Sequence, residues 1–327
     1  MIYLDKQSTE PWFNLAAEEV ALKNSSEDIL MLWENQPSVV LGKHQNAMAE
    51  VNHPFVLENQ IPVIRRISGG GTVYHDHGNL NFSVITTAEN RERSIDFQQF
   101  AEPIILFLKQ FGLEVAFHGK TNLSINGRKF SGNAAHVYKN RVLHHGTLLF
   151  NTDLSQLEQS IRPTEAAIQD KSIKSVRSEI VNLQTLLPGI PALSEFQLQF
   201  KQFLFDYFSI LQSRTFSKNE RSEIQRLVVE KYKNPDWNYG YSPAYQFNKS
   251  GNLPGGKAEL TLEVKKGIIV DLQLFSEIIP EKLVQSIQHQ LINKPHHPQA
   301  MNTNIQLLEP QLQSVGIETS DLFNLLI

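Results

Sequence analysis

Residues 65–83 read Arg-Arg-Ile-Ser-Gly-Gly-Gly-Thr-Val-Tyr-His-Asp-His-Gly-Asn-Leu-Asn-Phe-Ser. A bare triple-glycine turn lies between two cationic residues and an alternating strand. Ile61, Val63 and Ile64 lead in as strand. Three glycines let the backbone take positive φ and approach a ligand with no Cβ in the way, which turns the exposed N–H groups toward an anion. Arg66 can add a bidentate contact, which suits the oxygens of phosphate or carboxylate better than a lysine does. The turn alone is equally compatible with an empty glycine-rich hairpin, so its meaning depends on what surrounds it.

The chain has 327 residues, 41% hydrophobic and 20% charged, with a net charge of −4. That length allows one large domain, or a large and a small one, with an adequate core. The near-neutral balance argues against a nucleic-acid binder, which would carry a pronounced basic face. No stretch approaches ~20 uninterrupted apolar residues, and Met-Ile-Tyr-Leu-Asp-Lys lacks the regions of a signal peptide, so no membrane association is expected and the cytoplasm is the expected location. There is no cysteine. Disulfides, thiolate metal sites and any thioester formed on the enzyme are thereby excluded.

Thr9 and Pro11 stand where a helix would be capped and started, ahead of Leu15, Ala16, Val20 and Leu22 at helical spacing. Strands are expected over 29–33, 38–41 and 79–84. In the last of these, Leu80, Phe82 and Val84 face one way and Asn79, Asn81 and Ser83 the other. Phe97, Phe100, Ile104, Leu108 and Phe111 mark an amphipathic helix closed by Gly112. Asn126-Gly127 is the strongest hairpin turn, and Lys139-Asn140 a weaker one. Residues 153–233 read as mainly helical, with Phe196, Phe200, Phe203, Leu204 and Tyr207 in one apolar stripe. The Asn-, Gly-, Ser- and Pro-rich stretch 248–256 reads as a linker or exposed loop. Beyond it, 258–264 and 268–274 flank Lys266-Gly267 as a hairpin, with Leu283, Ile287 and Leu291 on a following helix.

Two further segments carry chemistry. A two-residue loop at Asn126-Gly127 pairs Ile125 with Arg128, Ser124 with Lys129, Leu123 with Phe130 and Asn122 with Ser131. Lys129 then shares a face with Ser131, Ser124 and Asn122, which restrain it as a point charge for a phosphate; the alternative is a solvated edge lysine. In His144-His145-Gly146-Thr147-Leu148-Leu149, adjacent strand residues point to opposite faces, so the histidines do not share one metal ion. One of them can be a core histidine. His296-His297-Pro298 reads as surface loop.

Together the segments resemble the lipoate–protein ligases, within the wider biotin and lipoate ligase superfamily. The resemblance rests on 10–19 (Glu-Pro-Trp-Phe-Asn-Leu-Ala-Ala-Glu-Glu), 37–46, 65–81, 127–134 (Gly-Arg-Lys-Phe-Ser-Gly-Asn-Ala), 144–149 and 174–178 (Lys-Ser-Val-Arg-Ser), in the family's order and spacing. It implies an α+β fold. A large catalytic domain with a mixed or antiparallel sheet would occupy 1–245, and a small α+β accessory domain 246–327. It implies a two-step reaction with free lipoate, ATP and Mg2+: lipoate is adenylated with release of pyrophosphate, then its acyl group passes to a lysine of an apo lipoyl domain. The implied acceptors are 2-oxoacid dehydrogenase complexes and the glycine-cleavage H protein.

The residues matching the family's nucleotide and adenylate contacts are Arg66, Ser68, Gly69, Gly70, Gly71, Thr72, Val73, Tyr74, Ser131 and Gly132, with Lys129 as its essential lysine. The acyl-adenylate is expected along 69–74, with Lys129 neutralising carboxylate and α-phosphate oxygens. His75, Asp76, Asn122 and His145 are further candidates, His145 to orient the adenylate or take a proton. Leu15, Trp33, Val73 and Leu148 are candidates for an acyl slot, or plain core. The resemblance leaves the metal ligands unknown. Asn122 stands where many members carry Asp, with Asp76 as a substitute carboxylate. A noncovalent intermediate needs no nucleophile, which accords with the absence of cysteine and separates the chain from relatives using a cysteine acyl-enzyme. Rival readings are a transferase of preformed lipoyl-adenylate, a biotin ligase, and a non-catalytic protein binding adenylate or lipoyl domains.

Overall fold

The computed structural model describes residues 1–5, 8–88, 95–161, 165–187, 189–190 and 192–327. Its strands are β1 (Ile2–Asp5), β2 (Ile29–Trp33), β3 (Ser38–Leu41), β4 (Val63–Arg65), β5 (Val73–His75), β6 (Asn79–Thr87), β7 (Ala116–His118), β8 (Asn122–Ile125), β9 (Arg128–Ser131), β10 (Asn133–Tyr138), β11 (Arg141–Leu149), β12 (Ala167–Asp170), β13 (Ser213–Thr215), β14 (Tyr245–Leu253), β15 (Gly256–Lys265) and β16 (Ile268–Ser276). Contacts divide the chain into two compact units. One comprises Met1–Lys43, Ile64–Leu157 and Ser175–Lys233; the other comprises His44–Val63, Glu158–Lys174 and Asn234–Ile327.

The first unit holds a six-stranded sheet in the order β10-β11-β6-β2-β1-β13, and the three-stranded sheets β4-β3-β5 and β7-β8-β9. The large sheet is mixed: β1 runs parallel to β2 and β13, whereas β2, β6, β11 and β10 are antiparallel neighbours. On one side Leu80, Phe82 and Val84 of β6 enter a core with Phe100, Ile104 and Phe107 of the helix Phe97–Lys109 and Phe196 and Phe200 of the helix Leu193–Phe208. Each such ring contributes roughly 2–3 kcal/mol by leaving water. The opposite face of β6 is buried as well, although it carries Asn79, Asn81 and Ser83. The helix α1 (Pro11–Asn24) explains this. Asn14, Glu18 and Glu19 on α1 are as buried as Leu15 and Val20, and Glu18 accepts a hydrogen bond from the Ser83 hydroxyl (2.5 Å). The α1 cap differs from expectation. Glu10, not Thr9, holds the N-cap position, without a side-chain cap bond, and Pro11 opens the first turn, where its missing N–H costs nothing.

The two hairpin turns predicted in this unit form. Asn126 and Gly127 have φ of 52° and 77°, as a type I′ turn requires, and Lys139 at φ 56° begins the β10–β11 turn. The β8–β9 register departs from expectation after two pairs. Ile125 opposes Arg128 and Ser124 opposes Lys129, but Leu123 then opposes Ser131. A bulge at Phe130 leaves that residue outside the pairing, and its ring is fully buried in the same core as Leu123.

The second unit is built on the antiparallel sheet β12-β14-β15-β16. Its inner residues Phe247, Leu260, Leu262 and Leu272 pack with Leu283, Ile287 and Leu291 of the helix Glu281–Leu291. The stretch 248–256 is no linker. It is the end of β14, a turn and the start of β15, because β14 continues through Lys249, Ser250 and Gly251 opposite Leu260, Glu259 and Ala258. The histidine pair is also no surface loop. His296 is buried, its Nδ1 2.6 Å from the Tyr245 hydroxyl and its Nε2 2.8 Å from the Leu326 carbonyl, and the His297 ring accepts the Ala300 N–H at the start of the helix Pro298–Gln306. No helix among the described residues is long and apolar enough to cross a membrane.

Candidate active site

The glycine turn leaves β4 and returns as β5, with β3 between the two strands. Of the three glycines, Gly70 alone has positive φ, at 87°. The other reason for glycine there is Arg66. A Cβ on Gly70 would stand 2.9 Å from Arg66 Nη2, the nitrogen that donates to the carbonyls of Gly69 (2.5 Å) and Gly71 (2.9 Å). Arg66 Nη1 donates to the Val40 carbonyl (3.1 Å), and Nε to the Ser68 hydroxyl (3.0 Å). The guanidinium is therefore buried inside the turn as its frame, rather than held out as a bidentate clamp. A planar fork with donors on two edges can serve four acceptors in this way. Arg65 is fully buried too, with Nη1 on the carbonyls of Gly42 and Lys43.

Ser68 links this frame to a buried polar chain that local sequence spacing could not reveal. Its hydroxyl lies 2.6 Å from His145 Nε2; His145 Nδ1 lies 3.0 and 3.2 Å from the two oxygens of Glu18. Glu18 also receives the Ser83 hydroxyl, and Ser83 in turn receives the Trp33 indole N–H at 2.9 Å. A carboxylate on Nδ1 sets the imidazole tautomer, leaving Nε2 to accept the Ser68 proton. Burial disfavours the charge of Arg66, and the nearby Glu18 carboxylate partly restores it. His144 points the other way, its ring stacked on Phe100 at 4.7 Å, so the two histidines do face opposite sides of β11. Trp33, Leu15 and Leu148 are buried core; Val73 is half-buried.

Lys129 approaches the same region from β9. It is half-buried, and burial together with the Arg66 charge lowers its pKa from the usual lysine value. A Cβ on Gly132 would stand 3.3 Å from Lys129 Nζ and 3.7 Å from Asn122 Oδ1, so Gly132 leaves room for the ammonium and Asn122 lies beside it. Gly132 is held by Thr147, which receives its N–H (3.3 Å) and gives its own N–H to the Gly132 carbonyl (3.1 Å). Ser131 turns to Asn133 instead of Lys129, a consequence of the bulge. The Lys129 backbone is fixed by Glu179 and Val181 (2.7 and 2.9 Å), and Ser175 of the same segment accepts the Thr72 N–H at 3.0 Å.

The remaining candidates lie on β5 or just after it. His75 accepts the Asn35 amide at Nδ1 (2.9 Å), and burial, aided by Arg66, pushes its pKa down to about 3. It is neutral near pH 7. Tyr74 is buried, and burial raises its phenol to about 12. Asp76 receives the N–H groups of Gly78 (2.9 Å) and Asp153 (2.8 Å), one on each oxygen, and burial raises its pKa. Both oxygens brace the turn into β6, which leaves Asp76 a poor donor for a cation. Among the described residues no group of three or more His, Asp or Glu side chains could hold a metal ion.

A glycine turn braced by a buried arginine beside a desolvated lysine can bind an anion and stabilise charge developing on it. Sequence reasoning named the two cations and the turn. It missed Glu18, Ser175, Asn133 and Thr147, which lay inside or beside the quoted segments without a role.

Comparison with known proteins places this geometry. Residues 10–205 match the model of the lipoyl protein ligase A/B catalytic domain, and residues 242–326 that of the bacterial lipoate protein ligase C-terminus. Lipoate-protein ligase LplJ of Bacillus subtilis is 36% identical over 301 residues, covering 90% of this chain and 91% of that one. Among solved structures, LipL1 of P. falciparum in complex with lipoate covers 96% of this chain and 97% of its own, with 25% identity and a TM-score of 0.63. A lipoate-protein ligase A bound with ATP shares the fold, with 24% identity and a TM-score of 0.64 over 73% of this chain and 98% of its own. With both halves matched and the relative aligned almost end to end, the chain belongs to the lipoate–protein ligase family and is an enzyme of that class.

Proposed function

We propose that the protein attaches free lipoate to a specific lysine of lipoyl-domain proteins in an ATP-dependent reaction through a lipoyl-adenylate. The observation that carries this reading is the placement of Lys129 beside Gly132 and within the field of Arg66, where burial and like charge both favour an anionic partner. In the first half-reaction the lipoate carboxylate attacks the α-phosphate of ATP. Negative charge grows on the α-phosphoryl oxygens, and Lys129 with the braced turn Ser68–Tyr74 meets it with fixed donors. In the second, the acceptor amine attacks the acyl carbonyl, AMP leaves, and the enzyme needs no nucleophile of its own. Ser131 and Gly132 shape the lysine's side of this site, and His145, His75, Asn122 and Asp76 support it.

Residues 1–245 carry this chemistry in the proposal, and 246–327 form the accessory domain. Magnesium is expected to arrive with the ATP phosphates, since it keeps several waters and needs few protein ligands. Among the described residues no cluster of three or more His, Asp or Glu side chains offers it a site. Lipoyl domains are the family's acceptors; those of 2-oxoacid dehydrogenases and the H protein are the proposed ones here, in the cytoplasm.

Incubation with ATP, magnesium, lipoate and an apo lipoyl domain, followed by intact mass, should show one lipoyl group added and pyrophosphate released. Lys129→Met should abolish both. Full ligation by Lys129→Met, or transfer from supplied lipoyl-adenylate without pyrophosphate release from ATP, would defeat the reading.

A further inference from the structure

A basic patch borders the glycine turn on the first unit, although the chain as a whole carries a net charge of −4. At its centre the carboxylate of Glu19, 2% exposed, takes Lys23 Nζ at 2.5 Å and Lys231 Nζ at 2.7 Å. Lys43 lies within electrostatic reach of Lys231, whose ammonium is disfavoured first by burial, against which Glu19 acts, and then by Lys23 and Lys43. His136 is likewise kept from charging by burial and by Lys43 and Lys23. Lys139 and Lys23 both stand over the Tyr138 ring, at 5.3 and 5.4 Å from its centroid. Lys23 and Lys231 thus share the Glu19 carboxylate, Lys139 shares the Tyr138 ring with Lys23, and Lys43 acts on Lys231 and His136. Of the other glutamates near these lysines, Glu18 is committed to His145 and Ser83, and Glu223, in the field of Lys23, is paired with Arg226.

The patch adjoins the reaction site through the backbone. The Lys43 N–H donates to the Ser68 carbonyl at 2.8 Å, and His136 follows Ala134, whose Cβ is 3.8 Å from the place a Cβ on Gly70 would take. Excess positive potential at the edge of a site that already holds Arg66 and Lys129 repels an incoming ammonium. An acceptor lysine can approach only if its own protein brings compensating negative charge.

We infer that Lys23, Lys43, Lys139 and Lys231, around Tyr138 and His136, form the landing surface for an acidic face of the acceptor protein, next to the lysine it presents. This rests on the ligase reading and names where the acceptor docks. Complementary charge of this kind raises encounter rates by roughly 10- to 1,000-fold and is weakened by salt. Glu19 keeps the patch in place: it holds two of its lysines against α1 and receives the Tyr232 hydroxyl at 2.6 Å.

The test replaces Lys43 and Lys139, leaving the Glu19 pairs intact. Lys43→Gln/Lys139→Gln and, as a single change at an exposed residue, Lys139→Glu are assayed for pyrophosphate release with lipoate and ATP alone, and for transfer to an apo lipoyl domain over a range of salt. The expected result is unchanged pyrophosphate release, kcat/KM for the domain lowered about tenfold at low salt through KM, and a flattened salt dependence. Unchanged KM for the domain with the wild-type salt dependence in both variants would overturn the inference. So would an equal fall in the first half-reaction, which would give the patch to the nucleotide. Wild-type protein that releases no pyrophosphate would overturn the ligase reading and this inference with it.

Discussion

Arg66→Lys is the sharpest perturbation of the site, because charge is kept while geometry is lost. The guanidinium reaches the Ser68 hydroxyl and the carbonyls of Gly69 and Gly71 from its Nε–Nη2 side, and the Val40 carbonyl from Nη1. An ammonium is a single point with three donors and can serve one of those sides. At least two charge-assisted bonds go, each worth about 1.5–3 kcal/mol, leaving acceptors beneath a turn whose Gly70 is exposed and whose Gly69 and Gly71 are half-buried. A loss of about 3 kcal/mol is expected, shared between global stability and the ordering of the turn. Since 1.36 kcal/mol is tenfold in rate, adenylation should fall by about 100-fold if the turn must be ordered for catalysis. Pyrophosphate release with saturating ATP and lipoate reads the second quantity, and the urea unfolding midpoint the first. A lysine variant with a wild-type midpoint and adenylation within about threefold of wild type, a change of under 1 kcal/mol, would refute the reasoning.

Glu18→Gln removes the charge that fixes the His145 tautomer and supports buried Arg66. Adenylation should drop by about tenfold, the equivalent of one hydrogen bond to a charged group, and an unchanged rate would show that Ser68 and His145 need no anchor. Gly78→Ala would put a Cβ 2.0 Å from the Asn151 carbonyl oxygen. The obstacle is backbone, so a destabilisation of about 3 kcal/mol or more should appear in thermal unfolding. His53 and His296 are buried, and burial pushes each down to about 4. The unfolded chain takes up their protons below about 6.5 while the folded one resists until about 4, so each contributes stability that is complete above the first value and lost as pH falls to the second, about 3 kcal/mol apiece. Unfolding midpoints measured from pH 7 to 4 should fall steeply, and less so in His296→Gln.

Much of the fold was legible where the signal is local. Both β-turns around Asn126 and Lys266 demand positive φ at successive residues, and both form with Asn126, Gly127, Lys266 and Gly267 at φ of 52–77°. Strands 29–33 and 38–41 fall where apolar runs predict them. The α+β class expected from the family resemblance is the one observed. What was not legible depends on distant partners. The apolar spacing of α1 suggested one buried face, but Asn14 and Glu18 are buried too, because Asn35, Ser83 and His145 receive them. His296 looked exposed beside a proline because nothing nearby in sequence announces Tyr245, 51 residues away. The bulge at Phe130 shifts the register after two pairs, and no turn or alternation signal in the sequence marks it.

The chain of contacts from Glu18 through His145 to Ser68 joins residues 127 and 77 positions apart. Closing such loops costs entropy before any bond repays it, so contacts of this separation are late to form on a folding pathway. Three elements, α1, β11 and the turn after β4, must come together for these contacts. Interactions absent from the folding transition state act on the escape rate from the native state, not on the rate of arrival. If the contacts from Glu18 to Ser68 are absent from that transition state, cutting them should speed unfolding and leave the folding rate unchanged.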